Sequence, residues 1–266
     1  MLRCVVKSYA DKEAVPFAAV GSRSRGTGTT ADAKGHFTLS LKSYSSNDTL
    51  VFSAVGYQPL SATVQEILSG KDGNGCFGRQ PGTNELVVYL KPKPLLLHTV
   101  EVKAKHSRWK ASQVGYNIGK GSPFVQEFAP TDTLLSSVSG QEIGNNFHFR
   151  KYPVRLQDFN FGLHGSGNLS VTVRLHIYSL KGKLPHKKLL QKEIVVNIPP
   201  HYTGWIKVPL EKYNILLNQD FAVVLDWVNE ANKLNNNSLM TFARMPKSQI
   251  TFYRASAAAS WKSAGI

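Results

Sequence analysis

An all-β chain of two β-sandwich domains in tandem is the fold class this sequence predicts, and three observations carry it. Short segments of alternating apolar and polar residues recur about every ten residues through both halves. Turn-rich pieces separate them, as a sandwich requires. The second half shows eight strand patterns with no helical periodicity between them. With 266 residues and 42% hydrophobic content, the chain has material for two cores.

In the first half, strand patterns cover residues 3–9, 15–23, 36–41, 49–54, 57–64 and 85–90. The organising stretch is DTLVFSAVGY, from Asp48 to Tyr57. Leu50, Phe52 and Ala54 share one face of a strand; Val51, Ser53 and Val55 share the other. Gly56 then allows a sharp corner, and the ring of Tyr57 pins it against the core. GTGTTADAKGHF, residues 26–37, reads as one long turn in which Asp32 and Gly35 feed the strand starting at His36. No Lys-Ser or Lys-Thr pair directly follows its glycines and no helix comes after it, so it is not a phosphate loop. QEILSG forms a single helical turn, and residues 70–84 are expected as an exposed, mobile glycine-rich loop. Cys4 and Cys76 make neither a disulfide framework nor a zinc site and are expected as free thiols.

In this order VPFAAV, ADAKGHFTLSL, the Asp48 to Tyr57 corner, LVVYLKP and LLLHTVEVKA resemble the carboxypeptidase regulatory-like domain, a prealbumin-like (Ig-like) β-sandwich common in envelope proteins of Bacteroidota. The most specific parts are the D-x-x-G-x-F turn of Asp32, Gly35 and Phe37 and the S-A-V-G-Y corner of Gly56 and Tyr57. The resemblance covers residues 1–104. It implies a seven-stranded sandwich without catalytic residues, used for support or interaction at a periplasmic or cell-surface location. The N-terminus MLRCVVKSYADKEA lacks the apolar block of a signal peptide, so export rests on the resemblance and a cytoplasmic location stays open. HTVE, His98 to Glu101, imitates a zinc-ligand pair, but residues three apart on a strand point to opposite faces.

Residues 105–113 are a polar, basic linker, and residues 114–266 read as a jelly-roll-like sandwich. In LSVTVRLHIYSL, Val171, Val173, Leu175 and Ile177 face the core. Thr172, Arg174, His176 and Tyr178 face outward, so this strand is expected to be half exposed. Phe221, Val223, Leu225 and Trp227 form a second apolar face. FNFGL, RLHIYSL, GWIKVPLEKYNI and DFAVVLDWV resemble the C-terminal sandwich that often accompanies the regulatory-like domain, which implies a fold and no activity. The series ends soon after Trp261, so a closing strand is expected to be missing.

The net charge is +15, with +9 in residues 141–266 against +3 in residues 1–92. Such a field favours polyanions, although a solvated basic face accounts for it equally well. Lys181, Lys183, Lys187 and Lys188 are the densest cations, in a loop between two strands. Without interleaved stacking rings they make nucleic acid an unlikely partner. Trp205 and Tyr213, with Trp227 the weakest member, are candidates for an aromatic platform suited to a glycan or protein. Asp226, Glu230 and the asparagines of residues 228–238 could contact calcium, but an Asn-rich turn explains them without a metal. The eight histidines are scattered, and neither G-x-S-x-G nor H-E-x-x-H occurs.

No catalytic residue, metal or cofactor is expected, no apolar run is long enough to span a membrane as a helix, and the oligomeric state is open. The function expected is that of a non-catalytic cell-envelope protein that binds or scaffolds a glycan or protein partner. The alternatives are a hydrolase with its site in the C-terminal sandwich and a basic nucleic-acid binder.

Overall fold

The computed structural model describes residues 1–70, 74–83, 85–93, 109–115, 124–128, 140–165, 170–190, 192–228, 240–244 and 251–264. The strands of the first half are β1 (Leu2–Ser8), β2 (Ala19–Gly21), β3 (Gly28–Thr30), β4 (His36–Leu39), β5 (Thr49–Ser53), β6 (Leu60–Thr63), β7 (Phe77–Arg79) and β8 (Leu86–Leu90). They form two sheets, ordered β4-β1-β8-β7 and β3-β2-β5-β6. β8 lies parallel to β1, with Cys4 opposite Leu86, and the other pairings of this half are antiparallel.

One apolar core lies within this half. Leu50 and Phe52 are fully buried, and Phe52 packs against the rings of Phe37 at 6.2 Å and Phe77 at 6.1 Å. Cys4 and Cys76 are free and buried; burial, helped by the charge of Glu85, pushes the Cys4 thiol up to about 12. The Asp32 side chain closes its turn by accepting the N–H groups of Lys34 and His36, each at 2.8 Å. Gly35 takes a φ of +80° there and Phe37 follows into the core. Gly56, at φ +82°, turns the later corner, and Tyr57 bridges to Pro92. Helix α1 (Val64–Ser69) is held by a capping box in which Thr63 and Glu66 satisfy each other's backbone.

Two stretches read as turns differ in the structure. Residues 26–37 contain β3, and residues 70–84 contain β7 preceded by the buried Cys76, so the second stretch is not simply an exposed loop. Both strands have three residues, too few to display an alternation. They bring the first half to eight strands among the described residues, where the resemblance implied seven.

The second half contributes β9 (Phe124–Phe128), β10 (Glu142–Phe147), β11 (Val154–Arg155), β12 (Asp158–Gly165), β13 (Val171–Lys181), β14 (Leu184–Lys188), β15 (Ile194–Ile198), β16 (Gly204–Pro209), β17 (Leu216–Leu217), β18 (Phe221–Val228), β19 (Met240–Arg244), β20 (Thr251–Arg254) and β21 (Lys262–Ala264). A seven-stranded sheet runs β14-β13-β18-β10-β20-β21, with β15 also on β13. A four-stranded sheet, β16-β12-β19-β9, and the pair β11-β17 complete it. Between the two larger sheets lies a core in which Phe161 and Val208 meet Val173, Leu175, Ile177, Val223, Leu225 and Trp227.

The opposite face of β13 departs from expectation. Thr172 stays partly open, but Arg174, His176 and Tyr178 are 2%, 4% and 3% exposed, so the strand is buried on both faces. The cover is remote in sequence. Trp261 packs edge-on against Tyr178 at 5.8 Å and Phe252 at 5.5 Å, while Leu180 and Leu184 fold over the same patch. From the first half, Phe17 covers Arg174, and the β2–β3 hairpin packs on the segment of Ser256 and Ala258 beyond β20. A Cβ on Gly28 would stand 2.4 Å from the Val20 carbonyl oxygen and 2.7 Å from the Ser256 Cβ, so only glycine fits where β3 meets this segment. Gly28→Val is expected to lower the thermal midpoint by several degrees, corresponding to about 1–3 kcal/mol of overpacking, whereas Gly78→Ala on β7, whose Cβ would meet only an ordinary 3.7 Å contact with the Tyr89 ring, shifts the midpoint less.

Candidate functional site

Four strands align a row of charges across the covered face of the large sheet. Arg174 on β13 stands opposite Asp226 on β18, Asp226 opposite Glu142 on β10, and Glu142 opposite Arg254 on β20. The order is plus, minus, minus, plus, so each carboxylate has a guanidinium on one flank and a like charge on the other. Asp226 and Glu142 are 1% and 0% exposed. Charges this deep persist only when paired and hydrogen-bonded.

The pairing is dense. Arg174 Nη2 donates to Asp226 Oδ2, and Arg174 Nη1 reaches Glu193 Oε1 at 3.4 Å. Arg254 donates to Glu142 Oε2 through Nε at 2.9 Å, and its Nη2 stands 2.6 Å from the same oxygen. The Tyr178 hydroxyl donates to Glu142 Oε2 at 3.2 Å and accepts from Arg254 Nη2 at 3.0 Å. The Arg254 guanidinium also lies 4.2 Å from the centre of the Trp261 ring. Glu142 Oε1, Asp226 Oδ1 and Arg174 Nε are buried without a hydrogen-bond partner.

His176 sits one step along the same face. Its Nε2 is 3.2 Å from Asp226 Oδ2 and 3.3 Å from Lys188 Nζ. The first contact needs a protonated nitrogen and the second a bare one, so a single ring satisfies only one of them. Burial, reinforced by the Lys188 ammonium, lowers the imidazole to about 4 and keeps it neutral at pH 7. Burial opposes the Asp226 carboxylate too, but the Arg174 guanidinium outweighs it and holds the group below the usual carboxylate range. Lys188 is exposed as a residue, yet its ammonium stands against His176 in the cluster, where burial lowers its pKa.

The cluster joins the two halves. Arg174 Nη1 donates to the Phe17 carbonyl at 2.7 Å, and its guanidinium lies 5.7 Å from the Phe17 ring. Phe17 takes a left-handed φ of +57°, a strained setting for a bulky side chain. Asp226 and His176 resemble the acid–imidazole half of a nucleophilic triad, but the polar and aromatic groups against His176 among the described residues are Tyr178, Lys188 and Asp226, none of them a serine or cysteine. The chemistry of this arrangement is charge pairing across a joint.

The residues singled out from sequence are spread elsewhere. Lys181, Lys183 and Lys187 are exposed on the β13–β14 hairpin; the piece read as a loop is largely strand, and Lys188 turns inward from it. Trp205 is 42% exposed on β16. Tyr213 lies in the 3-10 turn Glu211–Tyr213, partly packed on the core, with Lys212 Nζ 5.1 Å from its ring centre. Trp227 is 5% exposed and belongs to the core, so it takes no part in a surface platform. Asp226 is committed to Arg174 rather than to a calcium turn, and residues 229–239, like the His98 to Glu101 pair, fall outside the described residues. Among the described residues no group of three or more His, Cys, Asp or Glu side chains is placed to hold a metal, and no helix is long and apolar enough to cross a membrane.

The row itself left a signal in the sequence. Arg174 and His176 interrupt an apolar strand, and alternation puts Asp226 on the same face as Ala222 and Val224, where a lone acid needs a partner.

Residues 3–78 match the family model of the CarboxypepD_reg-like domain. No curated protein matches the sequence. Among solved structures, the cysteine protease and lectin-like domains of Cwp84, a surface layer associated protein of Clostridium difficile, align over 47% of this chain and 28% of their own at 15% identity, with a TM-score of 0.35. A likeness that slight carries no argument about function.

Proposed function

We propose that this chain, whose residues 3–78 are a CarboxypepD_reg-like domain, is a non-catalytic binding or scaffolding component of the cell envelope. On this reading the C-terminal half is a jelly-roll-like sandwich that engages a glycan or protein partner, and the first half holds it at the periplasmic or outer surface. The observation that carries the proposal is the joint. The carboxylates of the row and His176 are buried against guanidinium groups and a backbone carbonyl, out of reach of a substrate. A catalytic site needs reactive groups within reach of a substrate, and a rigid two-part scaffold does not.

The full chain, screened on a glycan array and against envelope extracts in parallel with peptide and glycoside turnover assays, is expected to bind a glycan or an envelope protein saturably and to turn over neither substrate class. Reproducible hydrolysis that follows the protein through purification would replace this reading with the hydrolase alternative.

A further inference from the structure

We propose that one end of the seven-stranded sheet is a binding surface for an acidic polysaccharide, an inference that rests on the binding role above and names its ligand class. β10 and β13 both run antiparallel to β18, and Phe147, Phe221 and Ser179 form one row. The two strands therefore leave the sheet at the same end. Beyond Phe147 come Arg150 and Lys151; beyond Ser179 come Lys181 and Lys183. Lys187 returns beside them, its N–H donating to Ser179 Oγ at 3.2 Å. Asn146 Nδ2 donates to the Lys183 carbonyl at 2.7 Å and ties the hairpin tip to the end of β10. All five cations are exposed, and none forms an ion pair among the described residues.

Among the described residues of the chain segments at this rim, the entry to β18 brings one carboxylate, Asp220, and its neighbours already engage it. His148 Nδ1 stands 2.8 Å from both of its oxygens, and the Tyr152 hydroxyl donates to it as well. The cations thus face solvent with the local anion already occupied.

The chemistry selects among polyanions. The aromatic residues of the rim are not free to stack on bases: Phe149 lies against Phe221 at 5.8 Å and Tyr152 at 6.3 Å. Residues 148–153 and 180–187 expose no large apolar side chain that could enter a lipid surface. Separated ammonium and guanidinium groups on a fixed strand end suit carboxylate or sulfate groups repeated along a sugar chain.

The full chain would be titrated with fluorescently labelled heparin, with neutral dextran, single-stranded DNA and anionic phospholipid vesicles as comparisons, at two salt concentrations. Heparin is expected to bind with an affinity that falls steeply with salt, and R150E/K151E/K181E/K183E is expected to weaken it about ten-fold or more and flatten the salt dependence. K42E/K212E, which changes exposed lysines elsewhere, leaves it nearly unchanged, and matched thermal midpoints show that the variants are folded. Equal heparin binding by the four-fold variant, or DNA or vesicle binding as tight as heparin binding, overturns the proposal. If the full chain captures an envelope protein but no acidic glycan, this surface assignment fails while the scaffolding role stands; substrate turnover instead defeats that role.

Discussion

Asp226→Ala is expected to lower the unfolding free energy by about 3–5 kcal/mol, because it leaves the Arg174 guanidinium buried without its carboxylate. Arg174→Met has a similar effect from the other side and also removes the bond to the Phe17 carbonyl. The double variant Arg174→Met, Asp226→Leu tests the cause. If uncompensated charge is the main penalty, removing both charges recovers a large part of the loss, since apolar replacements for buried ion pairs are often neutral or stabilising. Urea denaturation of the two singles and the double measures all three terms. Single variants that lose less than about 1 kcal/mol would show that the row contributes little, as exposed ion pairs do.

Acid should loosen the same cluster. His176 is neutral in the folded protein and lowered from 6.5 to about 4, so its contribution is fully present above the unfolded value and is lost as the pH falls from about 6.5 to 4. A shift of that size corresponds to about 3 kcal/mol between pH 7 and pH 4. Asp226 adds a separate loss at lower pH, because a carboxylate held below its ordinary value stabilises the fold only while it is ionised. His176→Gln removes the upper step and leaves the lower one. Denaturation series at pH 7, 5.5 and 4 would show the wild-type stability falling and the variant nearly level across that window. Parallel curves would mean that the imidazole does not titrate with unfolding.

Much of the scaffold is legible in the residues themselves. All eight strand patterns of the second half contain strands, and the inward faces of β13 and β18 carry the core that their alternation predicts. The turn at Asp32 and the corner at Gly56 follow from residue chemistry that acts within a few positions. The charged row was harder to read. Alternation separates the two faces of a strand but does not say what covers either one. Thr172, Arg174, His176 and Tyr178 look like a solvent face until Trp261 and Phe17 are placed against it. The partners lie on four strands far apart in sequence, and only the register reveals that Asp226 stands between Arg174 and Glu142. The basic rim has the same origin, since Arg150 and Lys183 come to one end of the sheet through the direction of β10 and β13.

The parallel pairing of β1 with β8 bears on how the chain is made. β1 leaves the ribosome some way ahead of one of its lateral neighbours, which is encoded near residue 86, so a nascent chain carries one flank of an apolar strand unsatisfied through most of the first half. Translation pauses before residue 90 would prolong that exposure, and chaperone capture of the growing polypeptide should be strongest there and decline once Leu86–Leu90 has cleared the exit tunnel.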